Sequence, residues 1–379
     1  MFMDISSEMI HSLLPLFLVS VLGASVTSVG LIEGVAEAAA LMTRFFSGAL
    51  SDRLGKRKAL TLAGYALGTL TKPLFALATG VGLVFAARFL DRIGKGVRGA
   101  PRDALIADAA SPHQRGAAYG LRQSLDTAGA ILGPLSALAL MMATDGSFRA
   151  VFWIAVIPGG CAVALLALAV REPSAPAEKT SPRMMRFRHI ANLGSAYWMV
   201  VAFGALFTLA RFSEAFLLLR AKDVGMTTRA VPVIMIIMNV FYSLTAFPVG
   251  HLSDRLGRGA LMAAGLGFLI LSDLTLAVAK AGWHVWAGAA IWGLHMGMTQ
   301  GLLSAMVADT SHHDFRGTAF GFFSLAIGMA MLFSSLIAGW LWDRYGAPAT
   351  FYVGASLAGC ALIGFLSFRR RLAASSGLG

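Results

Sequence analysis

The chain has 379 residues, of which 57% are hydrophobic and only 13% charged, whereas soluble globular domains average roughly 45–50% apolar and about 25% charged. That balance excludes an ordinary soluble enzyme, and a mean hydropathy of +0.72 disfavours a transmembrane β-barrel, whose alternating strands are far more polar. The net charge of +12 would point to nucleic acid in a soluble protein; in a chain this apolar the location of the charges matters more, and no nucleic-acid partner is expected.

At about 20 residues per membrane crossing, apolar runs predict an all-α polytopic membrane protein with twelve transmembrane helices, at 3–23, 27–50, 59–79, 83–107, 116–142, 150–170, 193–219, 229–251, 260–279, 284–308, 317–342 and 348–368. The chain opens Met1-Phe2-Met3-Asp4-Ile5-Ser6-Ser7-Glu8, without a basic n-region or a small-residue cleavage site, so no cleavable signal peptide is read. Only three residues precede Asp4, which makes the start of the chain a point to check. The first helix carries Asp4 and Glu8 among Met3, Met9 and His11. Carboxylates at this spacing could hold a divalent cation, but clustered His/Cys ligand spacing is missing and a Met-rich helix is more often packing. The second helix carries Glu33, Glu37 and Arg44, the third Lys72, and the fourth Arg88, Asp91, Arg92, Lys95, Arg98, Arg102 and Asp103. Positions 88, 91, 92, 95, 98 and 102 step by three or four and form one stripe, so this helix must line a polar cavity. Arg122 and Asp126 follow on the fifth helix. The second half has only Arg211 and Glu214 on the seventh helix and Asp273 on the ninth, with His295 and Gln300 on the tenth. Cys161 and Cys360 both lie in apolar runs, which argues against a structural disulfide.

The connections orient the chain. Arg53, Lys56, Arg57 and Lys58 follow the second helix, Arg171, Lys179, Arg183, Arg186 and Arg188 the sixth, Arg255 and Arg258 the eighth, and Arg369, Arg370 and Arg371 end the chain. The opposite connections at 24–27 and 80–82 have no Lys or Arg, although Arg220, Lys222 and Arg229 after the seventh helix break the pattern. The positive-inside rule places both termini in the cytoplasm. The segment 171–192 is the one composition shift, and it separates an N-terminal six-helix bundle, 1–170, from a C-terminal one, 193–379.

The halves repeat. Gly48-Ala-Leu-Ser-Asp52-Arg53-Leu-Gly55 returns as Gly250-His-Leu-Ser-Asp254-Arg255-Leu-Gly257, and Arg115-Gly-Ala-Ala-Tyr-Gly120 as Arg316-Gly-Thr-Ala-Phe-Gly321. Two unrelated motifs at nearly one offset mark a duplicated six-helix unit and two pseudo-symmetric bundles.

The loop Gly48-x-x-x-Asp52-Arg53-x-Gly55-Lys-Arg resembles the signature loop of the major facilitator superfamily, and the twelve-helix plan extends the resemblance over essentially the whole chain. The resemblance implies secondary active transport by alternating access, with Gly48, Asp52, Arg53 and Gly55, echoed by Gly250, Asp254, Arg255 and Gly257, as a cytoplasmic gate. Arg88-Phe-Leu-Asp91-Arg92-Ile-Gly94-Lys95-Gly96 is similar to a superfamily pattern in helix four, with Arg92 where a Gly is expected. Gly120, Gly129, Gly133 and Pro134 resemble the antiporter motif of superfamily exporters, with Ala137-Leu138 in place of its final Gly pair; such spacing also serves plain helix packing.

With a rise of ~1.5 Å per residue, Glu33, Glu37, Lys72, Arg88, Asp91 and Arg92 fall in an outer layer. Asp4, Glu8, Arg44, Arg98, Arg102, Arg122 and Asp126 fall nearer the cytoplasm. Intramembrane charges are costly and mark pathways or partners, so Glu33, Glu37, Arg88, Asp91, Arg92, Lys95, Glu8 and Asp126 are the candidates for substrate binding and proton coupling, the alternative being purely structural ion pairs. The expected function is proton-coupled efflux of a small solute across the cell inner membrane by a monomer that is not an enzyme and carries no cofactor. Export of a metal or other inorganic cation, and a non-transporting membrane sensor, are the other readings. No strand precedes the Gly94-x-Gly96 stretch, so it is not read as a nucleotide-binding loop.

Overall fold

A computed structural model describes residues 1–111, 114–170, 194–256, 258–300, 302–311 and 316–375. The connection at 171–192 and Gly257 lie outside the described residues, as do the side chains of Asp52, Asp254 and Arg255 and the surroundings of Gly250. Every element among the described residues is helical, and no strand occurs there.

Several expected spans are two helices in series. The first is α1 (Phe2–His11) and α2 (Leu14–Ser20), and the third is α4 (Arg57–Leu70) and α5 (Lys72–Leu77). Pro15 and Pro73 stand at the starts of α2 and α5, where a missing N–H is harmless but continuation of the preceding helix is blocked. The sixth is α8 (Phe148–Ile154) and α9 (Val156–Ala169), the seventh α10 (Ser195–Ala210) and α11 (Ala215–Asp223), and the tenth α14 (Gly282–Thr299) and α15 (Leu302–Thr310). The others run through: α3 (Val26–Leu54), α6 (Val81–Ala109), α7 (Arg115–Ala143), α12 (Pro232–Leu256), α13 (Arg258–Ala277), α16 (Arg316–Tyr345) and α17 (Ala347–Ser375). Nine stretches among the described residues are long and apolar enough to cross a membrane. The third, fourth and tenth expected spans, α4–α5, α6 and α14–α15, are outside that set; α6 carries the charged stripe, and Lys72 and His295 interrupt the apolar runs of the other two.

The described residues fall into two compact units, one within Met1–Ala24, Leu31–Met185 and Thr227–Val233, the other within Ser25–Gly30, Arg186–Met226 and Ile234–Gly379. In the first, α4 packs along α6 and α9, while α1 packs against α7 and α9. The short segments α2, α5 and α8 meet through Phe17, Phe75 and Phe152, with ring centroids 5.3 Å apart for Phe17–Phe152 and 6.4 Å for Phe75–Phe152. In the second unit α13 packs along α14 and α17, and α10 against α16 and α17. Tyr197 on α10 donates to the Ala319 carbonyl at 2.8 Å across an apolar cluster with Val200, Val307 and Phe323.

Arg220 and Lys222 differ from their expected place in a connection. Both lie in the last turn of α11. The Arg220 guanidinium is buried and donates to the carbonyls of Leu276, Ala277 and Ala279 at the end of α13, and it pairs with Asp223. They lie at and just past the last turn of α13, where a helix C-terminus leaves carbonyls short of partners. Arg220 therefore departs from the charge pattern because it closes a helix end.

Candidate functional site: a buried ion-pair network

Helix α6 sets the geometry. Arg88, Asp91 and Arg92 are buried on one face of it, and their partners come from two neighbouring elements of the same unit, α3 and α5. Arg88 Nη2 donates to Glu33 Oε2 of α3 at 2.7 Å, with only 2% and 1% of the two side chains exposed. Lys72 Nζ, at the first residue of α5, donates to Asp91 Oδ1 at 2.8 Å and to Ser7 Oγ of α1 at 3.1 Å. Arg92 Nη2 lies 3.1 Å from Glu37 Oε1, and Arg88 Nη1 lies 3.9 Å from Asp91 Oδ2. Charges this deep must be matched, because an isolated one costs several kcal/mol even after relaxation.

The histidine of α1 extends the network. His11 Nδ1 is 3.2 Å from Glu8 Oε2 and its Nε2 is 3.8 Å from Glu33 Oε2. A continuous path therefore runs Glu8–His11–Glu33–Arg88–Asp91–Lys72. Sequence reasoning set His11 aside as one histidine among methionines. Its spacing of three residues from Glu8 on one helix was the available signal. Glu8 also changes place: expected in the cytoplasmic layer, it joins the outer group through His11.

The network has an exposed edge. Lys95 lies on the stripe of Arg88, Asp91 and Arg92, one turn further on, yet its side chain is exposed. Glu37, the partner of Arg92, keeps 30% of its side chain open. Glu33 Oε1, Arg88 Nε and Arg92 Nε are buried and have no hydrogen-bond partner among the described residues. They leave polar capacity for an alternative pairing or a ligand.

A second cluster lies further along α6. Arg98 Nη2 is 3.8 Å from Asp4 Oδ1 and its guanidinium lies 4.6 Å over the Tyr65 ring. Asp126 on α7 is 3.4 Å from Arg102 Nη2 and 3.2 Å from Arg122 Nε, while Asp103 takes Arg122 at 2.6 Å and Arg44 at 3.2 Å. Among the described residues, no ion pair joins this cluster to the first.

The remaining sequence candidates are placed as follows. Gly48 faces Ala100 of α6, where a Cβ would sit 3.3 Å from the Ala100 Cβ. Gly55 has φ +64° and reverses the chain after α3, with Arg53 exposed beside it. Gly129 and Gly133 seat α1 against α7: a Cβ on Gly129 would come 2.7 Å from the Asp4 Cβ, and one on Gly133 2.6 Å from the Glu8 Cβ. Pro134 lies inside α7, and a Cβ on Gly120 would meet nothing within 4 Å among the described residues. Among the described residues, no group of three or more His, Cys, Asp or Glu is placed to hold a metal ion.

Fold and site together define a polytopic α-helical membrane protein with a charged interior. The chain belongs to the major facilitator superfamily, whose family model matches residues 1–219 and 202–378. It is 33% identical to an uncharacterized MFS-type transporter of Methanocaldococcus jannaschii over 94% of this chain and 89% of that one. It is 24% identical to the uncharacterized MFS-type transporter YqjV of Bacillus subtilis over 94% and 88%. The multidrug resistance protein MdtH of Photorhabdus laumondii is 31% identical over 33% of this chain and 31% of its own. Among solved structures, the nucleoside transporter NupG superposes with a TM-score of 0.77 at 13% identity, covering 97% of this chain and 96% of that one. The D-xylose–proton symporter superposes with 0.70 at 17% identity, covering 96% and 94%. At these identities the solved structures show the fold. The family is one of membrane transporters and not of enzymes.

Proposed function

We propose that this protein is a proton-coupled exporter of a small solute, working by alternating access between two six-helix bundles, 1–170 and 193–379, with both termini cytoplasmic in a plasma (inner) membrane. The observation that carries the reading is the path Glu8–His11–Glu33–Arg88 ending beside exposed Lys95 and half-open Glu37. A proton arriving at Glu8 or His11 can pass to Glu33. Neutral Glu33 no longer holds Arg88, and the freed guanidinium can engage a substrate group. Substrate binding to Arg88, Arg92 or Lys95 works in reverse and favours proton release. Asp91 fixes the far side of Arg88 through Lys72, and Asp126 with Asp4 holds the cytoplasmic end of the bundle. Exposed Lys95, with buried Arg88 and Arg92 on the same stripe, fits a solute with an anionic group. The gate assigned to Gly48, Asp52, Arg53 and Gly55, with Gly250, Asp254, Arg255 and Gly257, belongs to this cycle. Export as the direction is carried by the exporter-like pattern Gly120, Gly129, Gly133 and Pro134.

The test starts with thermal-shift screening of the purified protein against organic anions, zwitterions, antibiotics and divalent metals, since a ligand of the folded state raises its apparent stability. Solutes that bind are then followed in proteoliposomes. An imposed pH gradient should drive their movement, and Glu33→Gln should abolish that while sparing counterflow. A protein that exchanges solute but ignores the gradient is not proton-coupled. Failure of counterflow with every bound solute favours the sensor reading, and stabilisation by metals alone favours cation export.

A further inference from the structure

The two units repeat in register through the helix pair that carries the ion pair Lys72–Asp91. A Cβ on Gly96 of α6 would meet Thr43 Cβ at 2.6 Å and Arg44 N at 3.0 Å; one on Gly297 of α14 would meet Thr245 Cβ at 2.7 Å and Ala246 N at 3.1 Å. Gly64 packs against the backbone of Arg98, and Gly265 against the side chain of Thr299. These correspondences fix an offset of 201 between α4–α6 and α13–α14. Lys72 then corresponds to Asp273, and Asp91 to Trp292.

The second unit therefore has a carboxyl where the first has an ammonium, and an indole where the first has the carboxylate. Neither has a replacement partner. Asp273 and Trp292 are both completely buried, and among the described residues Asp273 Oδ1, Asp273 Oδ2 and Trp292 Nε1 make no hydrogen bond. The carboxyl occupies the space left by Gly354 of α17, where a Cβ would lie 2.7 Å from Oδ2 and 2.9 Å from the Phe212 ring. Among the described residues, no cation pairs with it from any packed element. On α14 the titratable neighbour is His295, whose Nδ1 lies 2.8 Å from the Gly265 carbonyl. On α17, Tyr352 and Cys360 are exposed. In the break between α10 and α11, Arg211 is 3.5 Å from Glu214. On α13 itself Ser272 donates to the Gly288 carbonyl. An ionised carboxylate in such a place has neither water nor a counter-charge to offset its desolvation.

We propose that Asp273 is a proton-binding site of the second unit, separate from the network of the first. The carboxylate takes one proton from water, forming an O–H bond at Oδ, and is enclosed as the neutral acid in the packing seen here. Loss of that proton to water requires α13 and α17 to part at Gly354. The site would give the second bundle its own protonation-dependent packing, and it stands whether or not the transport cycle uses Glu33.

The proposal is tested by infrared difference spectroscopy of wild type minus Asp273→Asn at neutral pH, in H2O and D2O. The expected result is loss of one protonated-carboxyl C=O stretch that moves down in D2O. A difference confined to carboxylate bands overturns the proposal, and a carboxylate band that responds to sodium ion would make the position a cation site instead. Should Asp273→Asn fail to fold, wild type labelled with [4-13C]aspartate replaces it. One carboxyl carbon should then stay at the protonated position through the pH range in which the others titrate, and finding every aspartate carbon ionised at neutral pH sinks the idea. Both readouts report protonation and not transport, so their failure is distinct from failure of proton-coupled export.

Discussion

At the residue scale, the question is whether the buried charges of the first unit only hold helices together or also change partners. Both cases share one energetic signature. Arg88→Ala leaves Glu33 as an uncompensated buried charge and should destabilise by about 3–5 kcal/mol, while the double change Glu33→Gln with Arg88→Gln should be clearly milder. Unfolding of the detergent-solubilised variants measures this; equal damage in both would mean that the pair is not the coupled unit its 2.7 Å contact implies. His11 separates the two cases. His11→Phe removes the bridge between Glu8 and Glu33 while Glu33 keeps Arg88, so solute counterflow should persist and gradient-driven movement should be abolished. Gradient-driven transport at wild-type rate in that variant would make the bridge structural.

At the element scale, α7 offers an internal control. Gly133 lies where α1 crosses α7, and a Cβ there would come 2.6 Å from the Glu8 Cβ and 2.9 Å from the Ile5 carbonyl oxygen. Gly133→Ala should therefore cost about 1–3 kcal/mol through forced shifts in α1. Gly120, on the same helix with open space around it, should respond oppositely, since Ala gains up to ~1 kcal/mol over Gly in a helix interior. Thermal melts of the two variants decide it: a destabilised Gly120→Ala would mean that its face of α7 is covered by something beyond the described residues. The sequence pattern made these glycines look alike, and only the neighbouring helix distinguishes them. The broken spans show the same limit. Pro15 and Pro73 were visible, but the hydrophobic runs continue through the breaks, so periodicity alone joined α1 to α2 and α4 to α5.

At the scale of the whole molecule, the charge pattern predicts topology. Reporters fused to either end should be active only in the cytoplasm, and activity on the far side of the membrane would overturn the orientation. Cys161 and Cys360 are free and exposed on α9 and α17, within stretches long and apolar enough to cross a membrane; as membrane spans they would turn these faces to lipid. Membrane-impermeant maleimides should leave both unlabelled in intact cells, with labelling by permeant reagents as the positive control.

The sequence by itself determined the membrane setting, the helical class, the duplication and the charged stripe of α6, because hydropathy, repeat spacing and helical period are local or one-dimensional properties. It also placed Gly55 at a reversal, since a left-handed backbone favours glycine. Only the tertiary structure decided which charges meet. Arg88 finds Glu33 across 55 residues of chain and Lys72 finds Asp91 across 19, and several sign-balanced pairings fit the same composition. His11 gained its place from two neighbours, one on its own helix and one on α3. Asp273 gained its isolation from the packing of α13 against α17, where a glycine leaves room for a carboxyl but supplies it no partner. Pairing and isolation are both three-dimensional facts, set by which side chains share a buried volume.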